Sequence, residues 1–119
     1  MISMSCVTID CREPKRVAEF WAEALGWQVT HVAEDGAIVE SPGRDRPSLE
    51  FVVVPEPKTL KNRVHLGFSA ADLDEQIARL ANLGAEVAWE EEFPPGSPYR
   101  NVILRDPEGN EFCLGSQPA

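Results

Sequence analysis

The sequence predicts an α+β fold built from two copies of one unit: a strand, a helix and three further strands. Three observations predict it. Two segments carry apolar residues at helical spacing and each is closed by a glycine, Gly26 and Gly84. The segments around them alternate apolar and polar residues with a period of two, as half-buried strands do. The offsets also repeat, Cys6 lying 20 residues before Gly26 and His65 lying 19 before Gly84, and such spacing marks an internal duplication.

The elements follow in order. Cys6 to Cys11 alternates Val7 and Ile9 with Thr8 and Asp10 and reads as a strand. Val17, Phe20, Trp21, Ala24 and Leu25 then form one helix face, with Pro14 in the first turn, where its missing N–H costs nothing. Trp27 to Val32, Ala37 to Glu40 and Ser48 to Val54 read as strands, divided by Asp35-Gly36 and by a loop from Pro42 to Pro47. Pro55 and Pro57 stop the last of these, because proline cannot donate to a ladder, and the polar stretch through Asn62 reads as a linker.

The order then restarts. Val64 to Ser69 alternates as a strand, and Asp72 with Glu75 has the spacing of a capping box. Leu73, Ile77, Leu80 and Leu83 form the second helical stripe. Ala85 to Trp89 is a strand, a loop with three prolines follows, and Val102 to Leu104 pairs with Phe112 to Leu114 across Asp106-Pro107-Glu108-Gly109-Asn110. The expected organisation is one domain over residues 1–119, with modules of roughly 5–55 and 63–117.

Charge and composition exclude several functions. Twenty acidic residues against eleven basic ones give a formal charge of −9, which repels a phosphate backbone and argues against nucleic acid. No apolar run approaches the roughly 20 residues of a membrane span, and the N-terminal residues lack the pattern of a signal peptide. Three cysteines without a CxxC pair argue against a disulfide framework, so a cytoplasmic location is expected.

Strand parity sorts the polar side chains. Val7 and Ile9, Leu49, Phe51 and Val53, Val64, Leu66 and Phe68, and Phe112 and Leu114 take the helix side of their strands. That leaves Cys6, Thr8 and Asp10, then Ser48, Glu50 and Val52, then His65, Gly67 and Ser69, and finally Glu111, Cys113 and Gly115 on the other side. Two readings fit this face: the lining of a ligand cavity, or the solvated side of an open sheet. Among the remaining candidates, His31 reads as an exposed strand residue and Trp21 as core. Trp27, Trp89, Tyr99 and Arg100 are candidates for a cavity rim.

Several of these segments together resemble the vicinal oxygen chelate superfamily, and in particular its glyoxalase-like and bleomycin-resistance-like members. They are Phe20-Trp21 with Leu25-Gly26-Trp27, Val64-His65-Leu66 before Asp72-Leu73, Leu83-Gly84-Ala85, and the Asp106-to-Asn110 hairpin before Phe112. The resemblance implies two βαβββ modules forming a cupped eight-stranded mixed sheet with the helices outside, often as a homodimer. It also implies metal ligands at Cys6, Glu50, His65 and Cys113, with Glu50 and His65 as the catalytic pair. Only Glu50 and His65 match the residue types such metal-using relatives prefer. Two thiolates, an imidazole and a carboxylate would make a tetrahedral zinc set but leave no open position, whereas Cys6 and Cys113 are equally readable as small half-buried hydrophobes.

Three functions follow as expectations. The first is binding of a small, cationic or aromatic molecule. The second is a lyase or isomerase of the glyoxalase type acting on a small carbonyl compound with a divalent metal such as zinc. The third is a non-catalytic module for dimerisation or partner binding.

Overall fold

The alternation of Val7 and Ile9 is realised in β1 (Cys6–Cys11), the first element of a computed structural model that describes residues 1–116. Residue 117, the expected end of the second module, lies outside them. Helix α1 (Pro14–Leu25) begins on Pro14 and ends where Gly26 takes the left-handed conformation, φ 69°. There Trp27 N–H donates to the Ala22 carbonyl at 2.9 Å, which turns the chain into β2. Strands β2 (Gln28–Ala33), β3 (Gly36–Glu40) and β4 (Ser48–Val53) complete a four-stranded mixed sheet in the order β1-β4-β3-β2. β1 runs parallel to β4, and the remaining pairs are antiparallel.

The second unit repeats this path. β5 (Leu66–Ala70), α2 (Leu73–Leu83), β6 (Glu86–Glu90), β7 (Asn101–Arg105) and β8 (Glu111–Ser116) form a sheet in the order β5-β8-β7-β6, again with the first and last strands parallel. The chain divides into two compact units, Met1–Lys58 and Thr59–Ala119, each holding one strand-helix-three-strand path. The fold is α+β, with two βαβββ modules.

Each unit has its own apolar centre. In the first, Val17, Ala18 and Trp21 of α1 are buried, as are Ala37, Val39, Leu49 and Phe51 of the strands on which the helix packs. Phe20 meets Trp21 edge to face at 5.2 Å. In the second, Leu73 and Leu80 of α2 are buried, with Leu104, Phe112 and Leu114 in the sheet, and Phe68 meets Phe112 edge to face at 6.2 Å. The β7–β8 hairpin is locked by buried Asp106, whose Oδ1 accepts from the N–H groups of Glu108 and Asn110 at 2.9 and 3.0 Å. An aspartate that satisfies its own turn's donors explains why the Asp106-to-Asn110 segment reads so clearly in the sequence.

Three local expectations are corrected. β5 starts at Leu66, not Val64; Val64 is 79% exposed and His65 precedes the strand. The capping box at Asp72 is not made: its carboxylate accepts no backbone N–H of the first helical turn and instead accepts from Gln76 Nε2 at 3.0 Å. The stretch ending in Asn62 is tied down, since Asn62 N–H donates to Glu111 Oε1 at 2.8 Å and Glu111 N–H donates back to Asn62 Oδ1 at 2.7 Å.

Candidate functional site

In each sheet the face away from the helix carries the candidate polar side chains, and strand register shows which of them share it. In the first unit Thr8 pairs with Glu50, Glu50 with Ile38, and Ile38 with His31. These four therefore stand in one row across the sheet. His31 joins it because the β2–β3 register shifts between Val29 and His31, one extra residue re-aiming the side chains beyond it. Thr30, the extra residue, donates from Oγ1 to Glu40 Oε1 at 2.7 Å. His31 is exposed, as expected, but on the Glu50 face.

Cys6 lies on the same face as Thr8, with Sγ 3.8 Å from Thr8 Oγ1. Its thiol donates to the Glu50 carboxylate, and that bond, outweighing the opposing Thr8 contact, holds the thiol pKa above its ordinary value. Cys6 and Glu50, both half-buried, form a polar centre in which the thiol keeps its proton.

The second unit has the matching row. Gly67 pairs with Cys113, Cys113 with Ile103, and Ile103 with Trp89, past a second register shift between Val87 and Trp89. Cys113 is half-buried and takes the place in this row that Glu50 takes in the other. Gly67 leaves room for it: a Cβ there would come within 3.1 Å of Cys113 Sγ. His65 is exposed just ahead of β5. Glu111, which parity places beside Cys113, is only 4% exposed, and its carboxylate is spent on Asn62 and on Arg105 Nε at 3.6 Å.

Do Cys6, Glu50, His65 and Cys113 fit a metal ion? A thiol becomes a metal ligand by losing its proton, and Glu50 holds that proton on Cys6. Among the described residues no group of three or more histidine, cysteine, aspartate or glutamate side chains is placed to hold a metal. Cys6 and Glu50 belong to the first unit, His65 and Cys113 to the second.

The rim candidates divide. Trp21 is core, 2% exposed, and Trp27 is half-buried. Trp89 has the Lys61 ammonium and the Arg105 guanidinium at 6.0 and 5.9 Å from its ring centroid. Arg100 is not a free cation: it grips Glu90 with Nε and Nη2 at 3.3 and 2.8 Å, and Asp74 with Nη1 at 2.9 Å. These bonds push the guanidinium pKa up and pull the Glu90 carboxyl below its ordinary value. Tyr99 packs edge to face on Phe93 at 5.0 Å, both on the exposed segment between β6 and β7.

Sequence reasoning missed Asn101. It is 8% exposed at the start of β7, and its Oδ1 has no hydrogen-bond partner among the described residues. A polar residue opening an apolar strand is the only local signal.

A family model described as a glyoxalase-like domain matches residues 6–115 of the chain. The chain belongs to this family. The glyoxalase-like domain also shares its fold with solved proteins at low sequence identity. A glyoxalase/bleomycin resistance protein/dioxygenase family enzyme from Burkholderia phytofirmans superposes with a TM-score of 0.76 at 16% identity, covering 97% of this chain and 98% of that one. The fosfomycin resistance protein FosX from Listeria monocytogenes, solved with Mn(II) and 1S,2S-dihydroxypropylphosphonic acid, gives 0.76 at 17% identity, covering 96% and 90%. The oxidase ChaP-H2 gives 0.69 at 21%, covering 99% and 95%. No curated protein matches the chain. Among the described residues, no helix of this glyoxalase-like domain is long and apolar enough to cross a membrane.

Proposed function

We propose that this glyoxalase-like domain binds a small organic molecule on the helix-free faces of its sheets, with Glu50 and His65 as the residues that act on it. The observation that supports this reading best is the Cys6–Glu50 pair. A half-buried carboxylate that accepts from a neutral thiol is polar, oriented and open to a ligand donor. Val52 and Ile38 supply apolar contact on the Glu50 face. The charge of −9 favours a cationic or neutral aromatic ligand over an anionic one.

Thermal-shift screening against cationic antibiotics and small aromatic metabolites, combined with elemental analysis of the purified protein, tests this. A compound that raises Tm in the parent and fails to do so in Glu50→Ala supports it. No stabilisation by any compound overturns it. Stoichiometric zinc, nickel or manganese, together with turnover of a small carbonyl compound, would replace it with a metal-assisted lyase or isomerase using Cys6, Glu50, His65 and Cys113.

A further inference from the structure

The two units follow one path, yet they treat one place on the helix-free face differently. Val52 of β4 and Gly115 of β8 are equivalent positions, each two residues beyond the one that holds Glu50 in the first unit and Cys113 in the second. Val52 pairs with Asp10 and Gly36, and Gly115 with Ser69 and Asn101. Val52 carries a side chain and is 43% exposed, whereas Gly115 carries none and is buried. Ile38 and Ile103 differ in the same way, half-buried in the first unit and 3% exposed in the second.

The chain supplies the cover itself. In the first unit Glu34 and Asp35 alone join β2 to β3, while the corresponding join in the second runs from Glu91 to Arg100. Its end lays the Tyr99 phenol on Gly115. A Cβ at 115 would lie 2.7 Å from Tyr99 Oη and 3.3 Å from Tyr99 Cζ, so the position takes glycine because a ring rests on it.

The ring is pinned from both directions along the chain. Phe93 meets it edge to face at 5.0 Å, and Tyr99 N–H donates to Ser97 Oγ at 3.3 Å. Next to it, Arg100 N–H donates to Ser116 Oγ and Ser116 N–H donates to the Arg100 carbonyl, both at 2.9 Å. Glu90 and Asp74 hold the Arg100 guanidinium. A contact fixed at this many points is a standing part of the face.

We propose that Tyr99 sets the length of ligand this domain accepts. Its phenol stands where a ligand ring would lie at the Gly115 end of the second sheet, and a ligand on that face reaches the Gly67–Cys113 row and stops. That row is accessible, since Gly67 is exposed and Cys113 half-buried. Residues two apart on a strand are about 6.6 Å apart, room for one ring ahead of the phenol and not for two in line. This rests on the reading above that the domain binds a small organic molecule, and it names the class as compact, single-ring compounds.

The test removes the phenol and offers it back. NMR titration of the full chain compares the parent with Tyr99→Gly, using 4-methylphenol, which is the side chain removed, and the elongated 4-phenylphenol. Both are expected to bind the variant about tenfold more tightly than the parent, with shifts centred on Gly115, Asn101 and Ile103. Gly115→Ala added to Tyr99→Gly puts a methyl group in the vacated place and should weaken both again. Neither substitution touches Glu50 or His65. Tyr99→Leu, which keeps bulk and shortens reach, gives the same comparison at smaller amplitude if the glycine variant does not fold. Equal affinity of 4-phenylphenol for parent and variant overturns the inference, as does a folded Tyr99→Gly that takes up 4-methylphenol no better than the parent. If either result accompanies a compound from the thermal-shift screen that binds the parent, only this inference fails. If 4-methylphenol fills the variant while no compound binds the parent, the function proposed above fails and the blocking role of Tyr99 stands.

Discussion

A thiol that donates to a carboxylate is a poor nucleophile until the proton leaves, and this decides how Cys6 behaves. Its folded pKa is raised, so the linked stabilisation is fully present below the ordinary thiol value and is lost as pH rises through the folded one. The alkylation of Cys6 by iodoacetamide should therefore reach half its limiting rate at a pH above that of a free thiol. In Glu50→Ala the midpoint should fall back toward the ordinary value. A Cys113→Ser background isolates the signal, since Cys11 is 2% exposed. An unchanged midpoint in Glu50→Ala would show that Glu50 does not hold the proton. At this same scale Glu111 is instructive: a carboxylate on the expected face, and yet consumed by the chain's own Asn62 and Arg105. Parity assigns a side chain to a face but cannot report a partner 49 residues away in sequence.

Among the elements, the helices and the order of the strands were legible because each depends on local spacing. The stripe through Val17, Phe20 and Trp21, the stops at Gly26 and Gly84, and the Asp106 turn are all set within a few residues. The register shifts in β2 and β6 were not legible. One inserted residue changes which side chains share a face without changing composition, so His31 and Trp89 enter their rows only once the pairing is seen. The start of β5 was misread for a related reason: Val64 continues the alternation, but ladder pairing begins at Leu66. Packing energetics can be checked on β4, where Phe51 is 1% exposed beneath α1. Phe51→Ala should cost about 3 to 5 kcal/mol by the size of the cavity left, measured by urea unfolding. A loss under about 1 kcal/mol would mean that the site collapses or that the ring is not core.

For the whole molecule, the repeated topology leaves each sheet with two outer strands, β1 and β2 in one and β5 and β6 in the other. Outer strands with free backbone groups invite pairing. Exposed Val32 on β2, and Val87 and Trp89 on β6, add apolar area there. We infer that the protein is a homodimer. Sedimentation equilibrium should return about twice the 13.2 kDa chain mass, and Val87→Lys should shift the population toward monomer if β6 takes part. A monomer at all concentrations up to about 100 µM would contradict it.

The closeness of Gly67 to Cys113 ties the histories of two positions together. A Cβ added at 67 meets the sulfur at 3.1 Å, so enlarging residue 67 requires the Cys113 side chain to give by a few tenths of an ångström. While 67 remains glycine, position 113 is free to explore larger and more polar side chains. The neighbouring strand thus leaves room beside the place that corresponds to Glu50.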